Sequence, residues 1–257
     1  MAGTSLVPVG GARLEVLRID AGHAGAAPIV MLHEGLGSVA MWKDFPHRIA
    51  QATGREVVAY SRAGYGRSSP AALPFGVRYM HDEALIVLPQ LLDALAIEEP
   101  VLFGHSDGGS IALIHAAASG RPVAGLALMA PHLFVEDVAV ASIAAAGDAW
   151  RATDLRARLA RYHDDVDAAF TGWNDIWLHP DFRAWNIEGC ARALNCPVLA
   201  MQGLDDEYGT LDQVRRIARA APHVELVELA DCRHSPHRDQ PDAVLAALAR
   251  FVARLER

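Results

Sequence analysis

The segment Gly104-His105-Ser106-Asp107-Gly108 constrains the fold more than any other stretch of the chain. It follows the apolar run Val101-Leu102-Phe103. It precedes Ile111, Ala112, Leu113, His115 and Ala116, a pattern that predicts a helix. A strand joined to a helix by so short a turn holds the central residue in a strained conformation with its side chain presented outward. Flanking glycines let the two elements approach without a Cβ clash. Ser106 therefore stands where a nucleophile is displayed. The same five residues also fit an ordinary helix start capped by Ser106 or Asp107, so the reading depends on what the rest of the chain supplies.

Short apolar runs alternate with helical patterns on both sides of this turn. Strands are predicted at Leu14 to Ile19, Ile29 to Leu32, Val57 to Tyr60, Val101 to Phe103 and Leu126 to Met129. Helices are predicted at Val39 to Ala52 and Met80 to Leu95. Short, mostly apolar strands separated by helices indicate a mostly parallel sheet covered on both faces, the α/β class. The alternation stops near Pro131 and resumes at Pro197 to Met201, followed by a helix from Leu211 to Ala220, a strand from Val224 to Leu229 and a helix from Pro241 to Leu255. The expected organisation is a core of residues 1–131 and 195–257 carrying a helical cap, 132–194. Trp150, Trp173, Trp177 and Trp185 fall in that cap.

At 257 residues the chain is long enough for one large core with an insertion. Its formal net charge of -8 and lack of a basic run argue against nucleic acid or an anionic membrane as partner. No span-length apolar stretch and no secretory pattern is present, and Cys190, Cys196 and Cys232 read as reduced thiols. A cytoplasmic location is expected.

A serine hydroxyl needs a base, and the base needs an orienting acid. After an elbow of this kind the expected chain order is serine, acid, histidine. Gln202-Gly203-Leu204-Asp205-Asp206 places an acid just after a predicted strand, with Asp206 at the expected spacing and Asp205 as its alternative. His234 follows the next strand. Pairing of His234 with His237 on a metal is disfavoured because no further ligands have suitable spacing, and no metal or cofactor is expected. The oxyanion requires backbone N–H donors. The amide of Asp107 is one candidate. Gly35, then Leu36, in the glycine-containing loop after Ile29 to Leu32, supplies the other.

These features together resemble the α/β-hydrolase superfamily, in its lid-bearing serine hydrolase branch. The resemblance spans essentially the whole chain: His33-Glu34-Gly35, Arg62-Ala63-Gly64-Tyr65-Gly66-Arg67-Ser68, Gly104 to Gly109, Gly203 to Asp206, and His234. The Gly-x-Ser-Asp-Gly-Gly form is also similar to biphenyl-hydrolase-like esterases. Two positions depart from the common pattern, Glu34 in place of glycine and Ser61 in place of aspartate. The resemblance implies hydrolysis of a small-molecule ester or lactone through an acyl-enzyme.

Candidate substrate contacts are Glu34, His132, Trp173, Trp177 and Trp185, the tryptophans as an aromatic wall. Glu34 and Asp107 place two carboxylates near the serine. Either they are tied to amides or to an arginine such as Arg62, or they select a cationic substrate. The run from Arg161 to Asp165 reads mainly as a solvated helix face. Carbon–carbon hydrolysis of a vinylogous diketone uses the same parts and is the main alternative, with Arg62 or Glu34 as the enol-binding group. A ligand receptor built on a hydrolase fold is the non-enzymatic one.

Overall fold

The computed structural model describes residues 3–20, 25–221 and 223–255. Eight strands form one sheet: β1 (Thr4–Val9), β2 (Ala12–Ile19), β3 (Ile29–Leu32), β4 (Val57–Tyr60), β5 (Val101–His105), β6 (Gly125–Met129), β7 (Val198–Gly203) and β8 (Val224–Leu229). Their spatial order is β1-β2-β4-β3-β5-β6-β7-β8. β2 pairs antiparallel with both β1 and β4, and every pairing from β4 across to β8 is parallel.

Parallel strands buried on both faces send alternate side chains into two cores. Ile29, Met31, Val57, Ala59, Val101 and Phe103 pack against Trp42, Phe45, Ile49, Val244, Leu248 and Phe251. The last five of these lie in helices α1 (Phe45–Thr53) and α7 (Pro241–Arg254). Val30, Leu32, Val58, Tyr60 and Leu102 face the other core, built from α2 (Leu88–Ala94), α3 (Asp107–Ala118) and α6 (Asp212–Ala220). Between β6 and β7 the chain is helical, chiefly α4 (Asp137–Ala152) and α5 (Val166–Leu178). Trp150 on α4 stacks on Phe170 of α5, with ring centroids 4.0 Å apart. No helix among the described residues is long and apolar enough to cross a membrane.

Three local departures have physical causes. β1 lies outside the predicted strands: it is an exposed edge strand without an apolar run, joined to β2 by Gly10 and Gly11, both at positive φ, as a two-residue hairpin demands. The predicted helix from Val39 splits into a 3₁₀ turn (Val39–Trp42) and α1, because Lys43 between them takes φ 54°, outside the helical region, and Pro46 lies in the first turn of α1. The predicted helix from Met80 to Leu95 contains a π-helical turn, Glu83–Val87, where the His115 imidazole meets the Ala84 carbonyl at 2.8 Å.

Candidate active site

In a parallel sheet the loops at the carboxyl ends of the strands converge on one crevice. Here β3 delivers the Glu34 to Gly37 loop, β5 delivers Ser106, β6 leads to His132, β7 to Asp206 and β8 to His234. Ser106 has φ 53° and ψ -119°, a strained conformation for a residue with a Cβ. The approach is so close that a Cβ on Gly108 would collide with the Leu32 carbonyl, and one on Gly104 with the Gly108 carbonyl. Glycine is thus required on both sides of the serine.

Ser106 Oγ lies 2.9 Å from His234 Nε2, and His234 Nδ1 lies 2.8 Å from Asp206 Oδ1. Asp206 Oδ1 also accepts from the Tyr208 amide at 2.8 Å, and its Oδ2 from Gln202 Nε2 at 3.1 Å. Burial pushes the Asp206 carboxyl upward in pKa, but the His234 hydrogen bond, the His234 charge and the Tyr208 amide together leave it below the ordinary carboxylate range. Asp205 is exposed and uses its amide, not its carboxylate, to bind the Cys232 carbonyl at 3.0 Å. The His234 backbone is bracketed as well. Its amide donates to Glu207 Oε2 at 3.2 Å, and His105 Nε2 donates to its carbonyl at 2.7 Å.

The loop after β3 is a turn closed by the Gly37 amide on the Glu34 carbonyl at 3.1 Å. Gly35 and Leu36 occupy its centre, where their own amides do not close the turn. Its carbonyls are drawn off to buried donors. Arg62 binds the His33 and Glu34 carbonyls at 2.6 and 3.0 Å, and His163 Nε2 takes Leu36 O at 3.0 Å. A Cβ on Gly35 would run into the Trp173 indole. Asp107 opens α3, so its amide is one of the helix-start donors without an intrahelical partner.

The two carboxylates differ. Asp107 Oδ2 accepts from the Tyr79 hydroxyl at 2.7 Å, Oδ1 from Trp177 Nε1 at 3.3 Å, and Arg62 lies 4.0 Å off. Burial nonetheless raises its pKa, with Arg62, Tyr79 and Trp177 opposing. Arg62 holds the backbone of Glu34 and not its side chain. Glu34 Oε2 is 3.5 Å from His105 Nδ1, and Oε1 is 3.8 Å from Arg238.

A cavity of about 170 Å³ opens above Ser106. Glu34, Gly35, Leu36, Asp107, His132, Trp173, Trp177 and His234 line it, with Ile143, Glu207, Tyr208 and Ser235. Trp185 does not. It stacks on Phe182 at 5.5 Å, and Phe182 in turn meets Trp177 edge-on, so Trp185 backs the wall from behind. In the run from Arg161 to Asp165, Arg161, Asp164 and Asp165 are exposed as expected, but the residues form a turn in place of a helix, and His163 is buried with its Nδ1 accepting the Gly66 amide at 3.0 Å. His237 is packed against Trp42, Phe45 and His105. Among the described residues no group of three or more His, Cys, Asp or Glu is placed to hold a metal ion. Glu207, Tyr208, Tyr79 and His163 carry no local motif that marks their places, whereas Arg62 opens the segment Arg62 to Ser68. Only the Gly-Tyr-Gly run after Arg62 hints at a tight turn there.

Residues 29–247 match the model of the alpha/beta hydrolase family. The chain belongs to that family. It is 29% identical to the protein named "Putative carbamate hydrolase RutD" of Variovorax paradoxus (strain S110), over 88% of this chain and 92% of that one. It is 23% identical to the sn-1-specific diacylglycerol lipase ABHD11 of Danio rerio, over 90% and 80%. Among solved structures it superposes on the enol-lactonase from Burkholderia xenovorans LB400 with a TM-score of 0.77 at 21% identity, covering 97% of this chain and 100% of that one.

Proposed function

We propose that this α/β hydrolase is a serine hydrolase of small carboxylic esters or lactones. The observation that carries the reading is the unbroken relay from Ser106 through His234 to Asp206, with its first atom at the floor of the cavity. In this account His234 takes the Ser106 proton as Oγ attacks the carbonyl carbon, and Asp206 stabilises the imidazolium. The amides of Asp107 and of Gly35 or Leu36 hold the oxyanion. His234 protonates the departing alcohol and then activates water to release the acid. Hydrolysis of a carbamate, the substrate in the name of one relative, would need the same steps. The three cysteines are unpaired, which fits a reducing cytosol.

Carbon–carbon hydrolysis is the less supported reading. Arg62, one of its two candidate enol-binding groups, lies under the oxyanion loop and outside the cavity lining. The cavity is small beside the roughly 300–1,000 Å³ of pockets for drug-sized ligands, which favours short acyl chains. The test is a p-nitrophenyl ester series from acetate to decanoate with wild type and Ser106→Ala. Turnover that peaks at four carbons or fewer and vanishes in Ser106→Ala is expected. Folded wild type without turnover on any ester contradicts the proposal.

A further inference from the structure

Ser106 Oγ lies between two imidazoles, His234 Nε2 at 2.9 Å and His132 Nε2 at 3.5 Å. The reaction proposed above employs the first and gives the second no task. His132 is only 3% exposed, and its Nδ1 has no hydrogen-bond partner among the described residues. What separates His132 from the other buried histidines is the approach of its Nε2 to Ser106 Oγ. The backbone beneath it is firmly held. Ser110 Oγ donates to the His132 carbonyl at 2.8 Å and accepts its amide at 3.0 Å, while Gln213 Oε1 accepts the Leu133 amide at 2.7 Å. The ring meets Trp177 edge-on, with centroids 4.9 Å apart.

The tautomer follows from the neighbours. The Ser106 hydroxyl hydrogen is directed at His234, so Oγ offers His132 a lone pair. Attraction then requires the His132 hydrogen on Nε2, leaving Nδ1 as a bare acceptor, the less costly kind of orphan. Burial, and next the charge of His234, push the His132 pKa down to about 3, so the ring stays neutral at working pH. His132 thus holds one uncharged N–H donor at the cavity, resting against Ser106 Oγ at 3.5 Å, a contact long enough for a better-placed substrate oxygen to replace it.

Three groups leave a carbonyl carbon bonded to Oγ. The oxygen goes to the loop amides and the leaving group to His234. His132 and Trp177 both line the cavity, and His132 Nε2 lies 3.5 Å from Oγ, within reach of an acyl chain carried on Oγ. Resting on the serine hydrolase reading, we propose that His132 is a specificity-determining residue whose Nε2–H donates to an uncharged oxygen two bonds from the scissile carbonyl carbon. The preferred class is then esters of 2-alkoxy, 2-hydroxy or 2-oxo acids. A negatively charged acyl group is disfavoured, because Glu34, Asp107 and Glu207 line the cavity with no lysine or arginine among its described lining residues. Seating a methylene in place of that oxygen leaves Nε2–H unpaired in a closed site.

The test uses p-nitrophenyl methoxyacetate and p-nitrophenyl butanoate, which differ by an oxygen in place of a methylene. Each kcat/KM is divided by that ester's hydroxide-catalysed rate constant to remove intrinsic reactivity. Wild type is expected to favour methoxyacetate by about tenfold after this correction. The preference should fall towards one in His132→Phe and survive in part in His132→Gln, which still donates. A corrected wild-type ratio near one overturns the proposal with no variant needed, as does an unchanged ratio in His132→Phe. In either case, turnover that vanishes in Ser106→Ala leaves the hydrolase reading standing. Absence of wild-type turnover, or turnover undiminished in Ser106→Ala, overturns the hydrolase reading itself.

Discussion

Asp205 and Asp206 are neighbours in sequence and opposites in environment. The Asp206 side chain is 1% exposed and receives hydrogen bonds from His234, Tyr208 and Gln202, whereas Asp205 faces solvent. Asp206→Asn should therefore lower kcat/KM on p-nitrophenyl acetate by about 10³–10⁴, through loss of the His234 tautomer and orientation. Asp205→Asn should stay within about twofold of wild type, as expected for an exposed surface position. A larger loss in Asp205→Asn would reverse the assignment. The order serine, acid, histidine could be read as an expectation because Ser106 and Asp206 follow apolar strand runs and His234 follows the alternating strand Val224 to Leu229. Tyr79 and Glu207 were given no place, and Arg62 and His163 were given other ones, because each acts across the fold on a partner far away in sequence. Trp185 was misplaced for a related reason. Aromatic residues at similar spacing in one cap divide between the cavity wall and the layer behind it, and composition does not tell these apart.

Among the elements, the strand-to-helix elbow is set by van der Waals contact more than by any hydrogen bond. Gly108 stands against the Leu32 carbonyl, and backbone on both sides has nowhere to go. Gly108→Ala should cost about 3 kcal/mol, read as a lowered urea midpoint, and a near-neutral result would mean that the elbow is looser than this packing implies. Helix α5 carries Trp173 and Trp177 into the cavity roof. Trp173→Ala should move the preferred ester to longer chains in the p-nitrophenyl series; an unchanged optimum would remove Trp173 from the acyl wall. Interior strands β3 and β4 and edge strand β8 fell within their predicted bounds, since β3 and β4 are continuous apolar runs and β8 is closed by turn residues. β1 left no such signal, being mostly exposed, and the π-helical turn depends on His115, about thirty residues downstream.

For the whole molecule, the distribution of buried histidine sets the response to acid. Burial holds His33, His115, His132, His163 and His237 below the ordinary imidazole pKa. The unfolded chain then binds more protons than the folded one below a pH of about 6.5, so stability rises with pH through this range and is lost as pH falls. For His132 the window runs from about 6.5 down to about 3. Unfolding free energy should decline steeply between pH 6.5 and 4.5, above the range where most carboxylates titrate. His132→Asn should make that slope shallower by up to about 1.4 kcal/mol per pH unit. A parallel slope in wild type and variant would show that His132 is accessible to protons in the folded state. The central claim is that Ser106 is a nucleophile activated by His234. The most direct measurement is intact and peptide mass spectrometry after exposure to a fluorophosphonate. One adduct per chain, located on Ser106, absent in Ser106→Ala and formed far more slowly in His234→Gln, is the predicted result. A folded wild-type protein that takes no adduct, or takes it at another residue, would contradict the account.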